Sequence, residues 1–326
     1  MIRIFANANY DFIGLRKWAY GITAAIVIPG MLLLTVRGLN YSIEFTGGTL
    51  VQVLVKQQQS VGDLRSALVR GGVRGAEIQS FGTGQEFVIR ARLASMADTT
   101  TQDEAQRTAA QVTGALTRAF GADAYTVQRV EAVGPKVGGE LRQKALVAIL
   151  LSFLATLVYL AFRFEFRFGV AAVVATAHDI ITTMAFISYM HLEVSLVVVA
   201  ALLAVVGYSL NDTIIIFDRV RENLHKYKRD DLQGILNRSI NETLPRSVLT
   251  HGMTIATTLA LLIFAGEVLR PFAWVMAFGI FTGTFSSIYI ASPILLAIEK
   301  RWPGEGARGV KATVAPAGTP SSVPVV

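Results

Sequence analysis

Six long apolar stretches alternate with polar segments along this chain. The first two, residues 18–36 and 145–162, carry no charge and are long enough to cross about 30 Å of hydrocarbon as helices. The other four have few polar interruptions and cover residues 168–190, 194–217, 247–266 and 271–298. The pattern predicts a polytopic α-helical membrane protein with six transmembrane helices.

A segment of different pattern, residues 38–143, separates the first two apolar stretches. Strand-like runs at 41–56, 76–81, 86–93 and 125–133 alternate with helix-like runs at 60–69 and 100–120. Gly82-Thr83-Gly84 is typical of a hairpin turn between the two middle strands. The resulting order βαββαβ predicts one small α+β domain of the ferredoxin-like type.

The amino-acid composition also favours a membrane protein. Hydrophobic residues make up 52% of the 326 residues and charged residues 16%, whereas soluble domains carry about 25% charged residues. The absence of cysteine excludes a disulfide framework, thiolate catalysis and cysteine-ligated zinc or iron–sulfur sites. We predict no metal and no cofactor. Residues 304–326 are rich in Gly, Ala, Pro, Ser and Thr without periodicity, which is typical of a disordered tail.

Basic residues mark one side of the predicted membrane domain. The net charge is +7, and Arg and Lys follow the second, fourth and sixth apolar stretches. The short loops on the opposite side contain a single basic residue, Arg270. The positive-inside rule therefore places both termini in the cytoplasm and residues 38–143 outside it. Because this topology accounts for much of the positive charge, a nucleic-acid role is unnecessary.

The first apolar stretch follows Arg16 and Lys17 and has a signal peptide as its rival interpretation. It lacks a small-residue cleavage site and is too long for a signal-peptide core, so we expect an uncleaved anchor. The predicted organisation is a first span within 1–37, an external domain at 38–143, spans two to six within 144–303 with a cytoplasmic loop at 218–246, and a cytoplasmic tail at 304–326.

Asp212 is the most informative polar residue of the apolar stretches. A carboxylate at a helix centre costs about 3 kcal/mol on insertion scales, and such residues usually have a function. Small residues before it, including Gly207, would let a neighbouring helix approach. Arg246 could extend into the bundle to a similar depth, where an ion pair would neutralise both groups. The alternative is an ion pair that only joins two helices.

Two further features of the apolar stretches favour helix contacts. His178 and Asp179 lie near the middle of the third stretch and could belong to the same polar interior, or could form a hydrogen-bonded pair that ties helices together. Gly279 and Gly283 form a GxxxG pattern, which more often indicates close helix packing than a hinge.

These motifs together resemble the SecF family, the smaller membrane subunits of SecD–SecF protein-export complexes, within the resistance-nodulation-division superfamily. The resemblance covers about residues 5–302. It rests on Phe45-Thr46-Gly47-Gly48, on the stretch 133–138, on His178-Asp179, on residues 207–223 around Asp212, and on 243–250. One departure is Ser42-Ile43-Glu44, where the family pattern leads us to expect Gly-x-Asp.

The resemblance implies that Asp212 is a proton-relay carboxylate, with Arg246 as its basic partner and Asn211 and Thr250 as polar neighbours. It implies a non-enzymatic subunit in the bacterial cytoplasmic (inner) membrane that uses the proton gradient to promote late-stage protein export. The implied partners are a SecD-like subunit, the SecYEG translocon, the unfolded exported polypeptide, membrane lipids and protons. Because the family's complexes have twelve spans, the SecD half is expected on another chain or in a fused half.

Three alternatives differ in function class. The first is half of a resistance-nodulation-division exporter of lipids or small molecules, although the chain has no second insertion that could help enclose such a pathway. The second is an intramembrane aspartyl protease with Asp179 and Asp212 as its dyad, but the Gly-x-Gly-Asp context is absent. The third is a passive scaffold subunit.

Overall fold

The structure is a computed structural model that describes residues 5, 8–57, 59–81, 85–91, 101–266 and 268–302. Within this part of the chain, six helical segments are long and apolar enough to cross a membrane, which confirms the predicted number. Their bounds are Arg16–Arg37, Lys136–Leu160, Phe166–Tyr189, Leu196–Lys226, Leu232–Phe264 and Arg270–Arg301.

The helices that contain these segments are α1 (Arg16–Arg37), α5 (Pro135–Arg163), α6 (Phe166–Tyr189), α7 (Leu196–Lys226), α8 (Leu232–Phe264), α9 (Arg270–Ser286) and α10 (Ser292–Arg301). A π-helical turn, Ser287–Ala291, joins α9 to α10. Helix α5 begins ten residues before its apolar run, with a proline in its first turn, where the missing N–H costs nothing. The amphipathic start of this helix therefore extends beyond the apolar run.

The predicted connection between the fourth and fifth spans, residues 218–246, is mostly helical. Helix α7 continues to Lys226 and α8 begins at Leu232, which leaves only residues 227–231 as the turn. The charged residues of this segment are good helix formers, so the helices continue past the apolar boundary. The buried Asn223 amide donates to Ser239 Oγ at 3.0 Å and fastens the two helical extensions to each other.

An inserted domain lies between α1 and α5 and has two layers. Its elements are β1 (Asn40–Tyr41), α2 (Ile43–Thr46), β2 (Gly48–Val55), α3 (Val61–Arg70), β3 (Glu77–Phe81), β4 (Glu86–Ala91), α4 (Thr101–Phe120), a 3₁₀ turn (Ala122–Ala124) and β5 (Tyr125–Val133). Four antiparallel strands form a sheet in the order β3-β4-β2-β5. Val51, Val53 and Val55 alternate along β2 and are buried in the core shared with α3 and α4.

The single strand predicted at 41–56 is divided. The four-residue helix α2 interrupts it, and Gly47 and Gly48 follow with φ of +71° and +120°, a backbone region that favours glycine. The predicted Gly82-Thr83-Gly84 turn and the predicted tail at 304–326 lie outside the described residues.

The second sheet has two short strands and joins the inserted domain to the membrane helices. Strand β1 pairs in parallel with β6 (Glu193–Val194), which lies in the connection between α6 and α7. Helix α7 is central to the helical bundle, because 56% of its most apolar stretch is buried, whereas α1 and α5 are mostly exposed. A movement of α7 would therefore displace its neighbours in the bundle and also the strand pair that holds the inserted domain.

Candidate functional site

Asp212 lies on the buried face of α7, with 1% of its surface exposed. Its Oδ1 accepts a hydrogen bond from Ser247 Oγ of α8 at 2.5 Å. Its Oδ2 is buried and has no hydrogen-bond partner among the residues that the structure describes. A buried carboxylate oxygen without a donor is costly when it is charged, so this position favours a group that can take up a proton.

Asp179 lies on α6 and is fully buried. Its Oδ2 accepts hydrogen bonds from Ser209 of α7 and from Ser286 of α9, the latter at 2.7 Å. His178 Nδ1 lies 3.0 Å from Oδ1. The structure thus brings the two predicted residues of the third span together and links them to two further helices.

The two acids accept hydrogen bonds from different hydroxyl groups, but α7 contributes to both sites. It carries the Ser209 that donates to Asp179, and it carries Asp212 itself. Ser209 and Asp212 are three residues apart on α7, so both side chains lie on one face. Next to Asp212, Thr213 Oγ1 lies 2.7 Å from Ser287 Oγ, at the start of the π-helical turn. Turns of this kind occur frequently at functional sites. The result is a polar interior shared by α6, α7, α8 and α9.

The structure does not join Arg246 to Asp212. Arg246 is exposed on α8, and the ion pairs of the described residues do not include one between these two groups. Ser247 takes the direct contact, so the proposed Asp212–Arg246 pair stays a prediction for another state of the protein.

The other residues predicted at the relay differ in placement. Asn211 is exposed, since it lies about 100° around α7 from Asp212. Thr250 is half-buried on α8, where its carbonyl accepts from Thr254 Oγ1 at 2.9 Å.

Sequence reasoning missed Ser247 and His251 of α8. Both are buried, and His251 Nδ1 lies 2.8 Å from Thr284 Oγ1 of α9. Their spacing of four residues places them on one helix face, together with the buried Thr243. A polar periodicity of four within an apolar helix was the available signal. The serines that bind Asp179 carried no such signal, because they come from other helices.

Two of the three glycines predicted at helix contacts lie against α7. A Cβ on Gly279 would be 2.2 Å from a Val205 methyl carbon, and a Cβ on Gly283 would be 3.0 Å from Ser209 Cβ. Gly207 is exposed, with open space where its Cβ would lie. Close approach of α9 to α7 therefore depends on the first two glycines.

No group of three or more His, Asp or Glu side chains suited to a metal ion occurs among the described residues. The groups that the site brings together are carboxylates, hydroxyl groups and imidazoles, which are able to accept or donate protons.

Comparisons with protein families match most of the chain. The family described as protein export membrane protein SecD/SecF, C-terminal, matches residues 112–301, and the SecD/SecF GG motif matches residues 32–59. The SecF protein translocase subunit of Gemmatimonas aurantiaca is 56% identical over 93% of this chain and 91% of its own length. The SecF subunit of Escherichia coli O157:H7 is 37% identical over 88% and 87%.

Solved structures give the same assignment. The crystal structure of SecDF from Thermus thermophilus, described as a translocon-associated membrane protein, matches with a TM-score of 0.80 and 36% identity. The match covers 90% of this chain but only 39% of the longer SecDF chain. A structure of SecDF in a super-membrane-facing form matches with a TM-score of 0.65, again at 36% identity, over 91% of this chain and 39% of that one. Family, relatives and fold agree, and the chain therefore belongs to the SecF family of protein translocase subunits, a group of membrane proteins of protein export.

Proposed function

We propose that this chain is the SecF half of a proton-driven export auxiliary and that Asp212 is its proton-carrying group. The observation that carries the proposal is the buried Asp212 carboxylate, with Ser247 on one oxygen and, within the part of the chain that the structure describes, no hydrogen-bond partner on the other. Protonation would remove a charge that the site accommodates poorly. One charge that crosses 100 mV releases about 2.3 kcal/mol, enough to bias two conformations of similar energy.

The conformational part of the proposal has support from the SecDF structures. Two of them match nearly the same share of this chain with TM-scores of 0.80 and 0.65, so they differ from each other in shape within the matched region. We infer that this chain also adopts more than one arrangement. Arg246, which is exposed here, would approach Asp212 in one of them.

The partners follow from the same assignment. A SecD-like chain would cover part of the exposed apolar surface of the bundle, and the pair would act beside the SecYEG translocon on an unfolded exported polypeptide. We infer the bacterial cytoplasmic membrane as the location. The inserted domain would be ferredoxin-like and extracytoplasmic; its βαββαβ order, its strand order and the basic loops of the chain support this.

The proposal is tested by reconstituting the full chain with a SecD-like subunit and SecYEG in vesicles that carry a proton gradient. Asp212→Asn keeps the shape and the hydrogen bond from Ser247 but cannot gain or lose a proton, so gradient-dependent export should be abolished. Asp218→Asn is the matched control, because this exposed carboxylate lies on the same helix and binds Arg163 at 2.9 Å. Normal export by the Asp212 variant would contradict the proposal.

The orientation is tested separately by cysteine labelling, which the absence of native cysteine simplifies. Cysteines at the exposed positions Lys56 and Lys228 should differ in their reaction with an impermeant reagent. The first should react from outside the cell and the second only after the membrane is opened. The reverse result would exclude an extracytoplasmic inserted domain.

A further inference from the structure

The segment 40–47, which we call the connector, joins the first membrane helix to the sheet of the inserted domain and contacts the membrane helices. Its strand β1 pairs with β6, with Asn40 opposite Glu193 and Tyr41 opposite Val194. Ser42 N donates to Val194 O at 2.9 Å. The backbone of the connector is therefore hydrogen-bonded to the short link between α6 and α7, the helices that carry Asp179 and Asp212.

Glu44 of the connector also binds the first residue of α7. Its Oε2 accepts a hydrogen bond from Leu196 N at 2.6 Å. The first N–H groups of a helix have no partner within the helix, and a carboxylate beside them is favoured by the helix dipole. Ser195 caps the same helix end through Val198 N at 3.4 Å. Glu44 thus provides a second cap, from a segment 152 residues away in sequence.

The start of α5 holds the connector from the other side. Gly138 lies so close to it that a Cβ there would be 3.0 Å from Gly47 N and 3.2 Å from Phe45 O. The connector is therefore packed between α5 and the beginning of α7, and it has little freedom to move independently of either helix.

A second tie lies beside the first. Arg90 of β4, which is 7% exposed, forms an ion pair with Glu193, and Glu77 lies 3.6 Å from the same guanidinium. Burial raises the pKa of Glu193; the charge of Arg90 acts against this shift, and the nearby carboxylates of Glu44 and Glu77 add to it. The sheet is thus attached to the α6–α7 link by a side chain as well as by the connector.

We propose that Glu44 is a positioning residue that couples α7 to the inserted domain, so that displacement of α7 at Asp212 moves the sheet. Helix α7 is continuous from Leu196 to Asp212, a length of about 24 Å, and acts as a rod between the two ends. The inference rests on the proposed proton-driven function. It assigns a role to Glu44, the acid of the segment Ser42-Ile43-Glu44 that differs from the expected Gly-x-Asp.

The test measures proton flux and protein export in the same vesicles, with the full chain, its SecD-like partner and SecYEG. Glu44→Ala should leave proton flux unchanged and lower gradient-dependent export about tenfold, the effect expected from losing a hydrogen bond to a charged group. Glu44→Gln keeps an acceptor oxygen and should retain most of the export. Glu131→Ala is the matched control, since this carboxylate of β5 and Glu44 line one crevice, but Glu131 pairs with Arg129.

A cross-link separates coupling from folding. Cysteines at Tyr41 and Val194, which are register partners, should form a disulfide that holds the connector on the α6–α7 link. In the Glu44→Ala background this bond should restore export, and its reduction should remove the gain. Loss of flux and export together, or no loss of either, or no rescue by the cross-link, would overturn the inference. If the wild-type protein promotes export without proton flux, the proposed energy source is wrong. The coupling by Glu44 is then tested by the export of the Glu44→Ala variant and its rescue by the cross-link.

Discussion

Asp179 and Asp212 are both buried in the bundle, but their surroundings differ. Asp179 accepts hydrogen bonds from Ser209 and Ser286 and has His178 beside its other oxygen. Among the described residues, Asp212 accepts one hydrogen bond, from Ser247. A carboxylate with donors on both oxygens is held in place, whereas one with a free oxygen gains from a change of protonation or of partner. Burial of an acid therefore does not by itself define a relay site.

The two acids contact different sets of helices. The contacts of Asp179 run to three helices, α6, α7 and α9, and tie them into one unit. Asp212 faces α8, which carries Ser247, His251 and Arg246 and whose apolar stretch is much less buried than those of α6 and α7. Helix α8 thus supplies the hydrogen-bond donor of Asp212 from the less buried side of the site.

The largest expected difference is between the asparagine variants of Asp179 and Asp212. Asp179→Asn should lower the free energy of unfolding by about 1–3 kcal/mol, because the amide cannot accept from all the donors that surround the carboxylate. It should nevertheless retain most of the gradient-dependent export, unlike Asp212→Asn. Thermal unfolding and export assays on both variants measure the contrast. Loss of export by both variants, with stability unchanged, would give the two acids one shared role.

The next prediction concerns the exposed Arg246. If it pairs with Asp212 in another state, Arg246→Met and Asp212→Asn together should be little worse than either alone, with a coupling energy of about 0.5–3 kcal/mol. Arg246→Lys should rescue in part, because the charge survives but the planar guanidinium does not. The double-mutant cycle is measured from the export activity and the unfolding free energy of the single and double variants. Strictly additive losses would show that the pair does not form.

A smaller effect is expected at the contact of α9 with α7. Gly279→Ala should lower stability by about 1–3 kcal/mol, because the added methyl meets Val205, and Gly283→Ala should disturb Ser209 and so the anchor at Asp179. Gly207→Ala is the control and should not lower stability, since open space surrounds it and alanine is the better helix former. Thermal unfolding distinguishes these variants. Equal effects at all three positions would contradict the packing argument.

The smallest effect concerns a half-buried acid, Glu193, which has a charged partner. Because its pKa is raised on folding, its contribution to stability falls as pH rises from the unfolded pKa to the folded pKa. Arg90→Gln removes the charge that opposes this shift, so the loss should be larger and continue to higher pH. Unfolding measured from acid to neutral pH, with Arg129→Gln as the control, tests the sign. A smaller loss of stability with rising pH in the Arg90 variant would show that Arg90 does not oppose the shift of the Glu193 pKa.

Local patterns were sufficient for the membrane helices and for the element order of the inserted domain. Apolar length sets the spans because each residue adds a fixed rise and each charge inside the membrane is costly. The alternation of valines along β2 fixes which face of the strand is buried. Local signals were insufficient at the helix ends, where Lys226 and Leu232 bound a turn of five residues inside the predicted loop.

The sequence by itself determined that Asp179 and Asp212 lie within membrane helices and that an inserted domain follows the first span. Only the tertiary structure decided which side chains meet. Adjacent residues on a helix point about 100° apart, so Ser247 contacts Asp212 while Arg246 does not. The cap of Glu44 on Leu196 joins segments 152 residues apart, and no periodicity records such a contact, because it depends on how the helices pack.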